Sequence, residues 1–304
     1  MDAAPIVFRN VHRRFDKTWV LRGLDFEVPQ GSVYALLGRN GCGKTTAIRT
    51  LLGFLLPHQG EAQLLGESSD DLSAATRGRV AYVTEGHRLH KLDRIKDILA
   101  FEAGTRPSFS LPRARAWIER LGLDPKKRVL TMSRGQRAQV ALVAALSADP
   151  EVLILDDPGL GLDVVMRREL LDALVQALTD TGCTVLLSSH VMTDVERIAD
   201  RVGILHGGAL IADSEIDELK QRIERRFWQP NDPSEGPPPL LRVLHARRVP
   251  DGYDLTLLDV DDDLLDRLRS AGAFLGDPVR LGLEDLFLDL VAADADALAP
   301  TEVA

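Results

Sequence analysis

Three observations in the sequence predict an α/β fold with a parallel central sheet. Short apolar runs bounded by turn residues recur at 33–37, 152–155 and 184–187. Runs of this kind suit strands buried on both faces. The first leads through a glycine-rich turn at 38–43 into an apolar-periodic helix over about 44–55. A helical pattern at 167–178 separates the other two, so the segment reads as a strand–helix–strand unit. Such a crossover makes its two strands parallel.

The remaining elements follow in order. Strand patterns at 6–11 and 24–28 precede the 33–37 run, and a further strand reads at 80–83. Residues 95–148 are mostly helical in pattern, broken by Pro107, Pro112 and Asp124-Pro125. Proline lacks the N–H that a helix interior needs. Residues 202–212, with Gly207-Gly208 at the centre, read as a hairpin. QPNDPSEGPPP at 229–239 puts six Pro and Gly into eleven residues, a linker composition. Beyond it, strand-like alternation at 241–248 and 253–258 flanks Pro250-Asp251-Gly252, and helices read at about 262–271 and 283–291. The predicted organisation is one domain at 1–226 with a helical subdomain at about 86–148, a Pro-rich linker at 227–239, and a small αβ domain at 240–304.

Composition narrows the function. With 304 residues, 45% hydrophobic and 27% charged, the chain is neither disordered nor fibrous. No window approaches the roughly 18 consecutive apolar residues of a bilayer-spanning helix. The N-terminus, MDAAPIVFRN, lacks the basic and apolar regions of a signal peptide. Two cysteines, Cys42 and Cys183, fit a reducing compartment. The net charge of −9 resides in the last quarter, where residues 227–304 carry 16 acidic side chains and 6 Arg. Residues 1–226 carry 31 basic and 30 acidic side chains, so no domain is strongly basic and nucleic acid is not an expected partner.

GRNGCGKTT at 38–46 fits the G-x-x-x-x-G-K-[ST] pattern between a strand and a helix. Gly38, Asn40, Gly41 and Gly43 shape a turn whose N–H groups can surround phosphate oxygens. The helix N-terminus adds its positive dipole end. Lys44 would reach the β- and γ-phosphates, Thr45 would ligate Mg²⁺, and Thr46 would sit near the α-phosphate. VLILDD at 152–157 is the partner: a buried strand delivers Asp156 to the edge where the ion sits, and Asp157 follows. The fold expected is therefore a P-loop NTPase core with a parallel sheet, N-terminal antiparallel strands and a helical subdomain, plus the small C-terminal αβ domain.

MSRGQ at 132–136 lies 20 residues before VLILDD. Ser133 and Gln136 have the spacing of a capping box, so a capped helix N-terminus presents Ser133, Gly135 and free N–H groups to an anion. Here the sequence resembles the ATP-binding subunits of ABC transporters, whose signature is usually LSGGQ. The likeness covers about 5–215 and extends to Gly161-Leu162-Asp163 and to His190, 34 residues past Asp156. It implies a head-to-tail homo- or heterodimer with ATP between the cradle of one chain and Ser133–Gln136 of the other. Asp163 would adjoin that nucleotide, Asp157 would polarise the attacking water, and His190 would touch the γ-phosphate. Phe15, with Trp19 second, would stack on adenine. The resemblance further implies a separate integral-membrane permease, met by the charged stretch 87–109 (His87, Arg88, His90, Lys91, Asp93, Arg94, Lys96). A place at the inner face of the cell membrane follows from that. LGLEDLFLDLV at 281–291 resembles the tail of bacterial exporter-type subunits, which implies export.

Two departures bear on catalysis. The family usually has Glu at Asp157 and Gln at Glu85, while Met132 for Leu conserves volume. One methylene fewer withdraws a carboxylate by about 1.5 Å, and a misplacement near 1 Å can cost about 10²-fold in rate. Glu85 can orient water, bind Mg²⁺, or repel the γ-phosphate. Two readings stay open: a transport ATPase of normal turnover, or a slow-hydrolysing, nucleotide-switched interaction module.

Overall fold

The structure, a computed structural model, describes residues 3–87, 89–90, 92–240 and 242–293. Its first elements are β1 (Ile6–Phe15), β2 (Thr18–Val28), β3 (Val33–Leu37), α1 (Lys44–Leu51), β4 (Gln59–Leu64) and β5 (Glu67–Ser68). Strands β2-β1-β4-β5, in that order, form an antiparallel sheet. Its inward face stacks Phe8 on Phe26 at 4.5 Å, and Phe26 on Tyr34 of β3 at 5.0 Å. These rings pin the layer onto the central sheet.

That sheet is completed by the next elements. They are α2 (Ala74–Gly78), β6 (Val80–Val83), α3 (Ile95–Thr105), α4 (Leu111–Arg120), α5 (Arg134–Ser147), β7 (Val152–Asp156), α6 (Val164–Thr181), β8 (Thr184–Ser189), α7 (Met192–Ile198), β9 (Arg201–His206) and β10 (Ala209–Glu215). The strand order is β10-β9-β3-β8-β7-β6, parallel throughout except at β10. Val33, Ala35 and Leu37 face one core while Tyr34 and Leu36 face the other, which explains the unbroken apolar run. The register pairs Leu37 with Ser189 and Asp156 with Ser188. The carboxyl ends of β3, β7 and β8 therefore lie side by side, where open α/β sheets bind ligands.

Helix α5 joins this core to the helical layer. Ala138, Leu142 and Leu146 pack on the sheet; Val140 and Val143 pack with Ile95, Ile98 and Ile118 of α3 and α4. Two buried faces account for a helix apolar nearly all round. Met132 is buried in that second cluster, as a volume-conserving replacement for Leu requires. Of the charged stretch at 87–109, Arg88 and Lys91 lie outside the described residues.

The C-terminal part corrects the expected boundary. After α8 (Ile216–Arg222) comes β11 (Ile223–Pro230), then β12 (Val243–Val249), β13 (Gly252–Leu258), α9 (Asp262–Ala271), β14 (Gly272–Leu275), β15 (Val279–Arg280) and α10 (Leu283–Ala292). The lobe's sheet runs β12-β13-β11-β14, with β15 also on β11. Residues 227–230, expected in the linker, are thus half of an inner strand, and the lobe begins before 240. The charges of IERRFWQP hide the strand from the sequence. Arg226 pairs with Glu224 at 2.6 Å, and Arg225 pairs with Asp289 of α10, also at 2.6 Å. Trp228, Leu255, Leu257, Leu264 and Leu268 form the lobe's own small core.

Candidate functional site

The glycine-rich turn folds tightly against the sheet. A Cβ on Gly38 would lie 2.4 Å from the Cys42 sulfur and 2.6 Å from the Leu205 carbonyl oxygen. Gly43, at φ +119°, turns the chain into α1 in a conformation that favours glycine. The Lys44 ammonium is folded into this turn, donating to the carbonyl oxygens of Gly38 at 2.7 Å and Arg39 at 3.4 Å.

Asp156, 2% exposed at the end of β7, faces the start of α1. Its Oδ1 accepts from Thr45 Oγ1 at 3.1 Å and from Ser188 Oγ at 2.7 Å. The Tyr82 hydroxyl lies 3.5 Å from Oδ2. Burial, with the Asp156 charge second, pushes the Tyr82 phenol up to about 12, so it stays a donor. Asp157 has left the strand in a left-handed conformation, φ 48°. Its N–H points at Ser188, 3.0 Å from Oγ and 3.1 Å from the carbonyl oxygen. Its Oδ2 lies 2.7 Å from His190 Nδ1.

Lys44, Thr45, Asp156 and Asp157 are among the residues that line a cleft of about 320 Å³; Tyr82, Ser188 and His190 are not. Asn40, Gly41, Gly43, Lys44, Thr45 and Thr46 share this lining with Glu85, Asp156, Asp157, Val20 and Leu160. An ammonium, a helix N-terminus and clustered oxygens in a space of this size suit a polyphosphate with a hard divalent cation. Among the described residues no group of three or more His, Cys, Asp or Glu could hold a metal. An ion beside Thr45 and Asp156 would therefore draw most of its other ligands from phosphate and water.

Other residues singled out in the sequence lie apart from this lining. Phe15, 43% exposed, ends β1 with the Arg13 guanidinium 5.0 Å from its ring centre. Trp19 is edged by His12 and His58. Ser133 and Gln136 form the capping box of α5: Ser133 Oγ accepts from the Gln136 N–H at 3.1 Å, and Gln136 Oε1 accepts from the Ser133 N–H at 3.2 Å. Gly135 is buried under Met166. Asp163 caps α6, accepting from the Met166 N–H at 2.9 Å. Sequence reasoning assigned no role to Ser188 or Tyr82; for Ser188 the available signal was a pair of serines ending a strand just before His190.

Comparison with known proteins decides the family. The ABC transporter family model matches residues 21–159, and one for an AAA domain (putative AbiEii toxin, Type IV TA system) matches 128–192. The bacitracin transport ATP-binding protein of Enterococcus faecalis is 30% identical over 279 residues, 90% of this chain and 88% of that protein. The chain belongs to the ATP-binding subunits of ABC transporters. A Nod factor export ATP-binding protein of Burkholderia lata is 34% identical over 218 residues, covering 70% of this ABC subunit and 71% of its own length. Among solved structures, an ATP-binding subunit of an ABC transporter superposes with a TM-score of 0.65 at 26% identity, covering 71% of this subunit and 92% of that chain.

The tight cradle of this ABC subunit yields a prediction. Gly38→Ala forces the turn away from β9, at the roughly 1–3 kcal/mol typical of overpacking. Affinity for a fluorescent ATP analogue is expected to fall about 5- to 150-fold. Unchanged affinity would show that the turn can shift without loss.

Proposed function

We propose that this ABC subunit binds and hydrolyses ATP with Mg²⁺ and drives a separate integral-membrane permease. The observation that carries this reading is one cleft lined by Lys44, the Thr45–Asp156 pair and Asp157, whose carboxylate meets His190. Lys44 and the turn's N–H groups hold the phosphates; Asn40 and Thr46 line the same cleft. Thr45 and Asp156 would hold Mg²⁺, which when bound offsets the charge developing on phosphate oxygens. Asp157 accepts a proton from the attacking water, with His190 orienting its carboxylate. Glu85, in the same lining, orients water or completes the shell of the ion.

Ser133, Gly135, Gln136 and Asp163 serve a second chain. The capped N-terminus of α5 faces the cleft of a head-to-tail partner, and closure around ATP completes both sites. Phe15, half exposed, receives the adenine. Exposed residues in the 87–109 stretch meet the permease, which holds the subunit at the inner membrane face. Among the described residues no helix is long and apolar enough to cross a membrane. The Nod factor export relative supports export.

A second reading, a slow-hydrolysing nucleotide switch, is favoured by the short Asp157 side chain, already engaged by His190. Phosphate release from Mg-ATP by the purified chain, beside Lys44→Ala, tests both. Turnover that Lys44→Ala abolishes supports the ATPase. Tight ATP binding without turnover, alone and with the permease, supports the switch. Absence of ATP binding overturns both.

A further inference from the structure

Ser188 is a polar residue where the pattern of β8 calls for an apolar one. It is fully buried, two residues beyond the core residue Leu186. A hydroxyl in such a place is costly unless its hydrogen bonds are made. Both kinds are made here, and both go to the paired carboxylate residues. The single proton is donated to Asp156 Oδ1 at 2.7 Å. The oxygen accepts the Asp157 N–H at 3.0 Å. The parallel register of β7 and β8, which sets Asp156 opposite Ser188, makes this bridge possible.

Each bond constrains something the site uses. The bond to Oδ1 fixes the rotation of the Asp156 carboxylate, and Thr45 Oγ1 reaches the same oxygen. The bond from Asp157 helps hold that residue at φ 48°, a conformation uncommon outside glycine. In this conformation the Asp157 carboxylate meets His190. We infer that Ser188 is a positioning residue that sets both carboxylates at once, orienting Asp156 for a divalent ion and Asp157 for the attacking water. The inference rests on the ATPase reading and adds to it a residue whose side chain does not line the cleft.

The test measures binding of a fluorescent ATP analogue by the full chain as Mg²⁺ is titrated, alongside kcat and KM. A hydrogen bond to a charged group is worth about tenfold or more in an equilibrium. Ser188→Ala is therefore expected to raise the half-saturating Mg²⁺ about tenfold and lower kcat similarly. Its Mg²⁺-free nucleotide affinity is expected to stay at the wild-type value. Ser188→Thr, which keeps the hydroxyl, should restore the Mg²⁺ dependence. If Ser188→Ala does not fold, Ser188→Cys, close in volume but a poor donor, should show the same shift in smaller degree. Wild-type Mg²⁺ dependence and kcat in the folded variant overturn the inference alone. A wild-type chain that binds no ATP overturns the ATPase reading, and this inference falls with it.

Discussion

Asp157→Asn is expected to lower phosphate release by about 10²- to 10⁴-fold, the usual worth of a positioned general base. ATP binding should survive. The substitution is nearly isosteric, and Asn tolerates a left-handed backbone as Asp does, so the φ of 48° can persist. An amide oxygen can still meet His190, but the amide cannot take a proton from water. The loss should therefore fall on kcat, with nucleotide affinity and thermal stability close to wild type. Single-turnover phosphate release separates this from a binding defect. Turnover equal to wild type would remove Asp157 from the role. Glu85, the other carboxylate outside the Asp156 pair that lines the cleft, would then be the base, and Glu85→Gln should show the missing loss.

What the sequence displayed clearly was whatever depends on near neighbours. The inner strands at 33–37, 152–156 and 184–189 announce themselves because burial on both faces leaves them no polar positions to spend until their ends. The cradle and the Asp156-Asp157 pair are legible for a related reason: consecutive residues of one turn carry each. Strand β4, QGEAQL, has half its residues in solvent and no apolar run, and only its pairing with β1 and β5 defines it. Strand β11 is hidden more deeply, since Arg225 is compatible with an inner strand through Asp289, 64 residues away. Ser188 shows the same limit within the site. Its sequence is that of any strand end, and its partners become visible only once β7 and β8 are laid in register. The linker at 229–239 illustrates composition overruling pattern: its Pro and Gly obscured the alternation Trp228–Pro230 that the lobe uses.

Removing α10 is expected to unfold the chain rather than release a tethered lobe. Leu283, Leu286, Phe287 and Leu290 belong to the same buried cluster as Val195 of α7, Ile216 and Leu219 of α8, and the β3 and β8 side chains of the central sheet. The helix start is held from the core side, where the Glu196 carboxylate accepts the Leu283 N–H at 2.8 Å and the Lys220 ammonium at 2.6 Å. Each large buried apolar side chain lost costs about 2–5 kcal/mol, against a total stability of about 5–15 kcal/mol. A chain ending at 280 should therefore be insoluble or melt far below the full chain. The milder Phe287→Ala should lower Tm by on the order of 10 °C. Circular-dichroism melting checks both. A truncated chain that melts with the full one would restore the picture of an independent appendage that the Pro-rich stretch suggests. The expected result has a consequence for catalysis. Glu196 lies six residues beyond His190, on the helix that follows it. The lobe and the Asp157–His190 pair thus share one support, and weakening α10 should reduce turnover before the fold is lost.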